Sequence, residues 1–308
     1  MSIATGAVVP DGADAVIPLE YVVDSDNEIE ISEPVAPGAH VRPRGGDVHA
    51  GATVLAAGTR LGPAQLGAAA AAGVATLRCT RRVRAAVLST GTELRRPGEP
   101  LSPGQIYEAN STIVGAALVA AGAAVDTIAA VADEVDLHRA ALARGLEADL
   151  VVTSGGVSVG PHDLVRAVER ELGVEEVFWR VAVKPGKPLA FGVRGRTLVF
   201  GLPGNPVSAL VSFEVFVRTA LRALQGESEP RPQFAVGRIA GEVRRNVERD
   251  EFLRARTRVD DGEMLLEPVS GQESHMITRA AGADALVLVP RGEGRLESGS
   301  SVRFLQLV

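Results

Sequence analysis

The hydrophobic pattern of the chain changes twice along its length. From Arg82 to Leu224, short apolar runs alternate with amphipathic stretches. RVRAAVLSTG, VDTIAAVA and DLVVTSGG are nearly continuous apolar runs bounded by turn residues, the pattern of strands buried on both faces. VFWRVAV, PLAFGV and TLVFGLPG extend the series. Between them, helical periodicity starts at about Ser111, returns in VDLHRAALARGL and DLVRAVEREL, and closes in NPVSALVSFEVFVRTALRAL. Asn110 and Asn205 suit helix N-caps, and Pro206 suits a first helical turn. Alternating strand and helix signals predict a mostly parallel sheet with helices on both faces, a three-layer α/β domain. Ligands in such sheets bind at the carboxyl ends of the strands.

The flanks read differently. Residues 1–77 hold the β-branched pieces ADAVIPLEYVV and IEISEPV, then a Gly- and Pro-rich stretch. One short helix comes next in GPAQLGAAAAAG, with Pro63 near its first turn and Gly73 as its stop. These elements are too few to bury a core, so a partial, β-rich N-terminal and linker region is expected. GESEPRP, Gly226 to Pro232, is a charged linker. Beyond it, FAVGRIAGEV, EFLRARTRV, EMLLEPV, ALVLVP and SVRFLQLV predict a small all-β domain, a barrel or sandwich. The expected division is 1–77, 78–225 and 226–308.

Composition narrows the function classes. With 46% hydrophobic residues in 308, a sizeable core is available and global disorder is excluded. The net charge of -6 gives no reason to expect nucleic acid or an anionic membrane as partner. Any anion must be held by local groups. Cys79 is the single cysteine, which forbids an intramolecular disulfide and makes the cytoplasm the default setting. No signal-peptide pattern opens the chain, and the alanine-rich run from Ala68 to Ala75 is too short to span a bilayer. The five histidines lack zinc-like spacing, His162 and His275 included. Phe178 and Trp179 read as core or interface.

Three glycine-rich loops carry the candidate chemistry: TSGGVSVGPHD (Thr153 to Asp163), VKPGKP (Val183 to Pro188) and GLPGNP (Gly201 to Pro206). Glycines at strand ends let a ligand approach the backbone. Their proximity in sequence predicts one shared pocket at one sheet edge. Asp163 opens a helix and reads equally as an N-cap. The preceding SGGVSVG would set backbone N–H groups and a helix dipole on a phosphate, and an acid there suggests Mg²⁺. Glu93 and Asp133 come after the first and second strands, so with Asp163 three acids reach one edge; each alone is more often a cap or a solvated charge. Lys184 and Lys187, stiffened by Pro185 and Pro188, form a pre-organised cationic clamp for phosphate or another tetrahedral oxyanion. Gly204 and Asn205 also fit plain strand-to-helix turn chemistry.

Together STGTEL, IYEANS, TSGGVSVGPHD, VKPGKPLAFG and GLPGNPVSALVSF resemble the MoeA/gephyrin family of molybdopterin molybdenumtransferases. The resemblance extends upstream to ATGAVVPDGADAVIPLE and RPRGGDVHAGATVLAAGTRLGP, and downstream to EFLRAR and GQESH. It implies a pterin-binding α/β domain and insertion of molybdate into adenylylated molybdopterin, with Mg²⁺ and release of AMP. It assigns Asp163, Glu93 and Asp133 to the nucleotide and Mg²⁺ side, with Asp163 and Glu93 as metal ligands. Thr90, Gly91, Ser154, Gly155, Gly156, Ser158, Gly201, Pro203, Gly204, Asn205 and Pro206 would line the substrate. Lys184, Lys187, Pro188, Arg254 and Ser274 would face molybdate. Thr5 and Asp47 match polar positions that reach the partner subunit's site in a homodimer. Family members carry a further helical dimerisation segment and an Asp-Asn-Ser-Ala-Met-Asp-Gly-Tyr-like motif ahead of ATGAVVPDG. The expectation is therefore either a fragment, with a misplaced start, or a shortened member with impaired activity, and in both cases a weakened dimer. Two alternatives stand beside the transferase: a pterin- or nucleotide-binding protein without full activity, and a molybdopterin adenylyltransferase. VKPGKP, GQESH and the C-terminal β segments argue against the last.

Overall fold

The computed structural model describes residues 1–308 except 26–27, 132–133, 157–163 and 308. The chain divides into two compact units, Met1–Leu77 and Arg78–Val308.

The first unit holds an antiparallel pair, β1 (Val22–Ser25) and β2 (Glu28–Ile31), and the helix α1 (Pro63–Ala71). Pro63 at the first turn of α1 removes an N–H that would have had no partner, and Gly73 at φ +78° ends the helix. Among the described residues of this unit, Ala69 is the one buried apolar side chain, while Leu19, Val23 and Ile29 are exposed. The scarcity of elements read from the sequence has this consequence: among the described residues of this unit no apolar cluster forms.

The second unit begins with β3 (Arg84–Thr90) and the short pair β4 (Leu94–Arg95) and β5 (Ile106–Tyr107). Next come α2 (Asn110–Ala120), β6 (Ala124–Val131), α3 (Val135–Gly145), β7 (Leu150–Ser154), α4 (Leu164–Glu171), β8 (Glu175–Trp179) and β9 (Val183–Lys184). β10 (Ala190–Arg194) and β11 (Thr197–Leu202) form a hairpin, succeeded by α5 (Pro206–Ser212), a π-helical turn at Phe213–Val217, and α6 (Arg218–Leu224). A six-stranded sheet runs β6-β3-β7-β11-β10-β8. Its first four strands are parallel, and β10 runs antiparallel to both neighbours.

Period-2 alternation explains why the central strands read as unbroken apolar runs. Ala85 and Val87 of β3, Leu150 and Val152 of β7, and Phe200 and Leu202 of β11 pack with Val114, Leu118, Phe213 and Leu221. The intervening Ala86, Leu88, Val151 and Val199 pack on the opposite face with Leu142, Val165 and Val168. Each face thus has its own apolar cluster and its own helices, α2, α5 and α6 on one and α3 and α4 on the other.

The rest of the unit comprises β12 (Ala235–Ile239), β13 (Val243–Arg244), β14 (Asp250–Asp260), β15 (Glu263–Pro268), α7 (Ile277–Ala280), β16 (Ala285–Val289), β17 (Arg295–Leu296) and β18 (Ser301–Gln306). The ladder β15-β12-β18-β16-β14 closes through a β14–β15 pairing, as in a barrel. Leu253, Ala255, Val287, Val289 and Phe304 fill its interior. Phe252, Leu286 and Leu288, on the alternate positions, pack against Val207 and Val211 of α5. The all-β expectation for this region needs one correction: the four-residue helix α7 lies among the strands, and its Ile277 and Ala280 join that packing. A second correction concerns VFWRVAV, which is not one strand. Arg180 at φ +76° breaks it, and β9 pairs with β14 of the second sheet. No helix among the described residues is long and apolar enough to cross a membrane.

Candidate functional site

Parallel register brings three strand ends level. Ser89 of β3 and Leu202 of β11 both face Ser154 of β7. The chain leaving these strands therefore meets at one edge: Gly91 just past Thr90, the last residue of β3, Gly155 and Gly156 after β7, Pro203 and Gly204 after β11. Backbone and side-chain bonds tie them together. The Gly155 N–H donates to Leu202 O at 3.2 Å, and Thr90 Oγ1 donates to Ser154 O at 3.5 Å. Asn110 Nδ2 donates to Ser154 Oγ and to Gly204 O, each at 2.7 Å. One buried amide thus bridges the loops after β7 and β11.

Glycine is obligatory where the chains are closest. Gly155 sits at φ +93°, and a Cβ there would lie 2.5 Å from Thr90 O. Gly156 at φ +66° would meet Val165 Cγ2 at the same 2.5 Å. Backbone cannot yield to such contacts, so any side chain at Gly155 displaces the loop.

Glu93 is exposed, and its carboxylate folds back over Gly91, where a Cβ would stand 2.7 Å from either oxygen. Asp133, Ser158 and Asp163 lie outside the described residues. Among the described residues, no three His, Cys, Asp or Glu side chains gather as a metal site.

The lysine turn differs in placement from the sequence reading. It leaves β9, on the barrel sheet, and not a strand of the α/β sheet. It packs on α5, the helix that GLPGNP opens, at that helix's last turn. Gly186, at φ +120°, presses on Ser212, where a Cβ would come 2.9 Å from Oγ. Lys184 Nζ pairs with Glu251 Oε1 at 2.9 Å, whereas Lys187 is exposed and Pro188 half-buried. The turn is closed by Val181 N–H donating to Lys187 O at 3.0 Å and Arg180 N–H donating to Leu189 O at 2.8 Å.

The barrel part adds the segment around Ser274. Asn205 is the N-cap residue of α5, but its side chain makes no capping bond; Nδ2 donates to Ser274 Oγ at 2.9 Å. Val207 N–H donates to Ser274 O at 3.0 Å, which supplies the helix end with an acceptor. Arg254, expected to face an oxyanion, has another task in this structure. It is 1% exposed, and its guanidinium donates to Met276 O at 3.0 Å, to Gly271 O at 2.7 Å and to Glu273 O at 3.4 Å. It clamps the loop that carries Ser274. Burial pushes the Arg254 pKa down from its ordinary value, and the charge of Glu273 opposes that shift. Thr5 and Asp47 lie exposed in the first unit.

Sequence reasoning leaves Glu108 and Glu251 out of the site. Glu108 is buried and accepts from Ser89 Oγ and Ser111 N–H, each at 2.8 Å, and from Ser111 Oγ. It, and not Asn110, serves the first turn of α2, which frees the Asn110 amide for its bridge. The position of an acid just before a helix, in IYEANS, is the available signal. A cavity of about 520 Å³ opens beside this network, lined by Arg95, Arg96, Glu108, Ser111 and Thr127, a volume in the range of small-molecule sites.

Three family models match the chain: the MoeA N-terminal region (domain I and II) over residues 1–73, a probable molybdopterin binding domain over 86–223, and the MoeA C-terminal region (domain IV) over 236–307. The chain is 39% identical over 313 residues to molybdopterin molybdenumtransferase 2 of Mycobacterium tuberculosis, covering 99% of this chain and 76% of that protein. It is 31% identical over 308 residues to the molybdopterin molybdenumtransferase of Bacillus subtilis, covering 98% and 72%. Its fold is similar to the crystal structure of the molybdopterin biosynthesis MoeA protein from Pyrococcus horikosii, with a TM-score of 0.75, 32% identity, and coverage of 98% of this chain and 74% of that one.

Proposed function

We propose, from the premise that the chain belongs to the MoeA family of molybdopterin molybdenumtransferases, that it is a transferase of molybdenum cofactor biosynthesis. The reaction we assign is insertion of molybdate into adenylylated molybdopterin with cleavage of the phosphoanhydride and release of AMP. One observation carries this reading. The Asn110 bridge holds the loops after β7 and β11 together, and the Ser274 loop and the lysine turn both lodge against the helix that the second loop begins. In this reading the glycine loops serve as a phosphate cradle and the lysine turn as a cationic clamp, which a polyanionic nucleotide reacting with a dianionic oxyanion requires.

In this reading, the Gly155 and Gly156 backbone and Thr90 line the phosphates, and Ser154 is a positioning group through Asn110. Lys184 and Lys187 offset the charge of molybdate, and Ser274 is a further candidate donor to it. Arg254 acts through the loop it clamps. Mg²⁺ fits the donor types: Glu93 offers an exposed carboxylate, and Asp163 is the second candidate ligand. Hard oxygen donors from one or two carboxylates plus substrate phosphates are the set this ion takes. When bound, it neutralises charge on the phosphoanhydride. The test is a product assay. The purified chain is mixed with adenylylated molybdopterin, Mg²⁺ and molybdate, and AMP and molybdenum-loaded pterin are measured together. Equal yields of the two support the reading. AMP release that ignores molybdate removes it.

A further inference from the structure

The two lysines of the turn are held in different ways. Lys187 is exposed, and no ion pair among the described residues holds it. Lys184 is paired at 2.9 Å with Glu251, whose side chain is only 11% exposed. Glu251 stands on a strand paired on both sides. Its strand, β14, pairs in parallel with β9 in the register Glu251↔Lys184, and in antiparallel with β16 in the register Glu251↔Val289. The neighbouring Asp250 is fixed as well: its N–H donates to Ala182 O at 3.0 Å, and its Oδ1 accepts from Arg291 N–H at 2.8 Å.

We propose that Glu251 is a positioning residue for the oxyanion site: it holds Lys184 in one place from the barrel side, while Lys187 closes on the ligand from solvent. This rests on the transferase reading for the identity of the oxyanion, though not for the ion pair itself. A lysine has four rotatable side-chain bonds, and ordering them opposes ligand binding. An ion pair formed before the ligand arrives removes much of that ordering, which is pre-organisation supplied by a residue that does not touch the ligand. An ammonium has three donors, so Lys184 can keep Glu251 and still donate to an oxyanion. The buried carboxylate also compensates the cation, so the turn does not gather two unpaired positive charges.

The experiment is competitive acetylation of the full chain with mass-spectrometric readout at Lys184 and Lys187, repeated with increasing molybdate alone as probe. In the wild type, Lys184 is expected to acetylate about tenfold more slowly than Lys187, a difference that Glu251→Gln abolishes. The molybdate concentration that half-protects Lys184 should rise by about tenfold in Glu251→Gln and by less in Glu251→Asp, which restores the charge. A cycle with Lys184→Gln, read as molybdate protection of Lys187, separates positioning from general damage: on that background Glu251→Gln should change nothing further. Unchanged half-protection in Glu251→Gln, or an equal loss in both backgrounds, overturns the proposal. The failure of the transferase reading looks different: the labelling differences persist with molybdate protection, yet no molybdate-dependent AMP is formed.

Discussion

At the amino edge of the six-stranded sheet, Asp149 accepts both arms of the Arg81 guanidinium at 2.6 Å and the Arg84 N–H at 2.8 Å. Thr197 Oγ1 donates to Ala148 O at 2.9 Å, and Arg84 donates to Glu147 O at 2.6 Å. At the carboxyl edge the same sheet ends in Gly155, Gly156 and Gly204, with Asn110 buried between them and the Glu93 carboxylate exposed nearby. At the amino edge the Asp149 charge is matched by Arg81. At the carboxyl edge the polar bonds fix the backbone of the loops, the Glu108 carboxylate is buried against Ser89 and Ser111, and that of Glu93 is exposed. One edge stabilises the sheet, and the other is the edge to which the proposed function assigns the ligand.

The largest effect in breaking that comparison is expected from Gly155→Val. The Cβ has no room beside Thr90 O and φ is +93°, so the loop must move. Turnover should fall below detection, while urea denaturation still shows a cooperative transition. Lys184→Gln should come next, lowering turnover by about 10²–10³-fold, the loss typical of one charge-stabilising donor. Stopped-flow or quenched AMP release measures it, and a change under about threefold would take Lys184 out of the site. Asn110→Ala removes the bridge without touching the ligand. Misplacement of the two loops should reduce turnover by about 10²-fold. It should also reduce stability by about 1–3 kcal/mol, because the buried Ser154 Oγ loses the Asn110 donor. The smallest effect belongs to the amino edge. Asp149→Asn should leave turnover unchanged and give the smallest loss of stability in urea denaturation, since Arg81 is exposed and its pairing is screened.

The Asp149 prediction has a defined pH window. Its bonds to Arg81 hold the carboxyl at about 2, below the ordinary 3.8. A depressed carboxylate contributes stability that is full above the unfolded value and is lost as pH falls through the folded one. The difference between wild type and Asp149→Asn should therefore hold from neutrality down to about pH 4 and vanish near pH 2. A difference that persisted at about pH 2 would show that charge is not what this edge uses.

The legible part of the fold is the part governed by local pattern. Buried parallel strands announce themselves because both faces of β3, β7 and β11 are covered, and the glycine loops because positive φ and close approach demand glycine. The hidden part depends on contacts remote in sequence. Asn110 looks like a helix cap, yet its amide lies against Ser154 and Gly204, 44 and 94 residues away. The sequence resemblance assigns Arg254 to an oxyanion, and nothing local shows that loop carbonyls of Gly271, Glu273 and Met276 surround it. Glu251 is inconspicuous in the sequence for the same reason: its meaning comes from strand pairing with β9, which itself reads as part of a longer strand.

The most direct test of the two-edge account is hydrogen exchange with and without adenylylated molybdopterin plus molybdate and Mg²⁺. The account predicts slowed exchange in peptides covering residues 154–156, 184–188 and 203–206, and no change in those covering 81–84 and 194–197. Protection at the amino edge, or none at the glycine loops under saturating ligand, would contradict it.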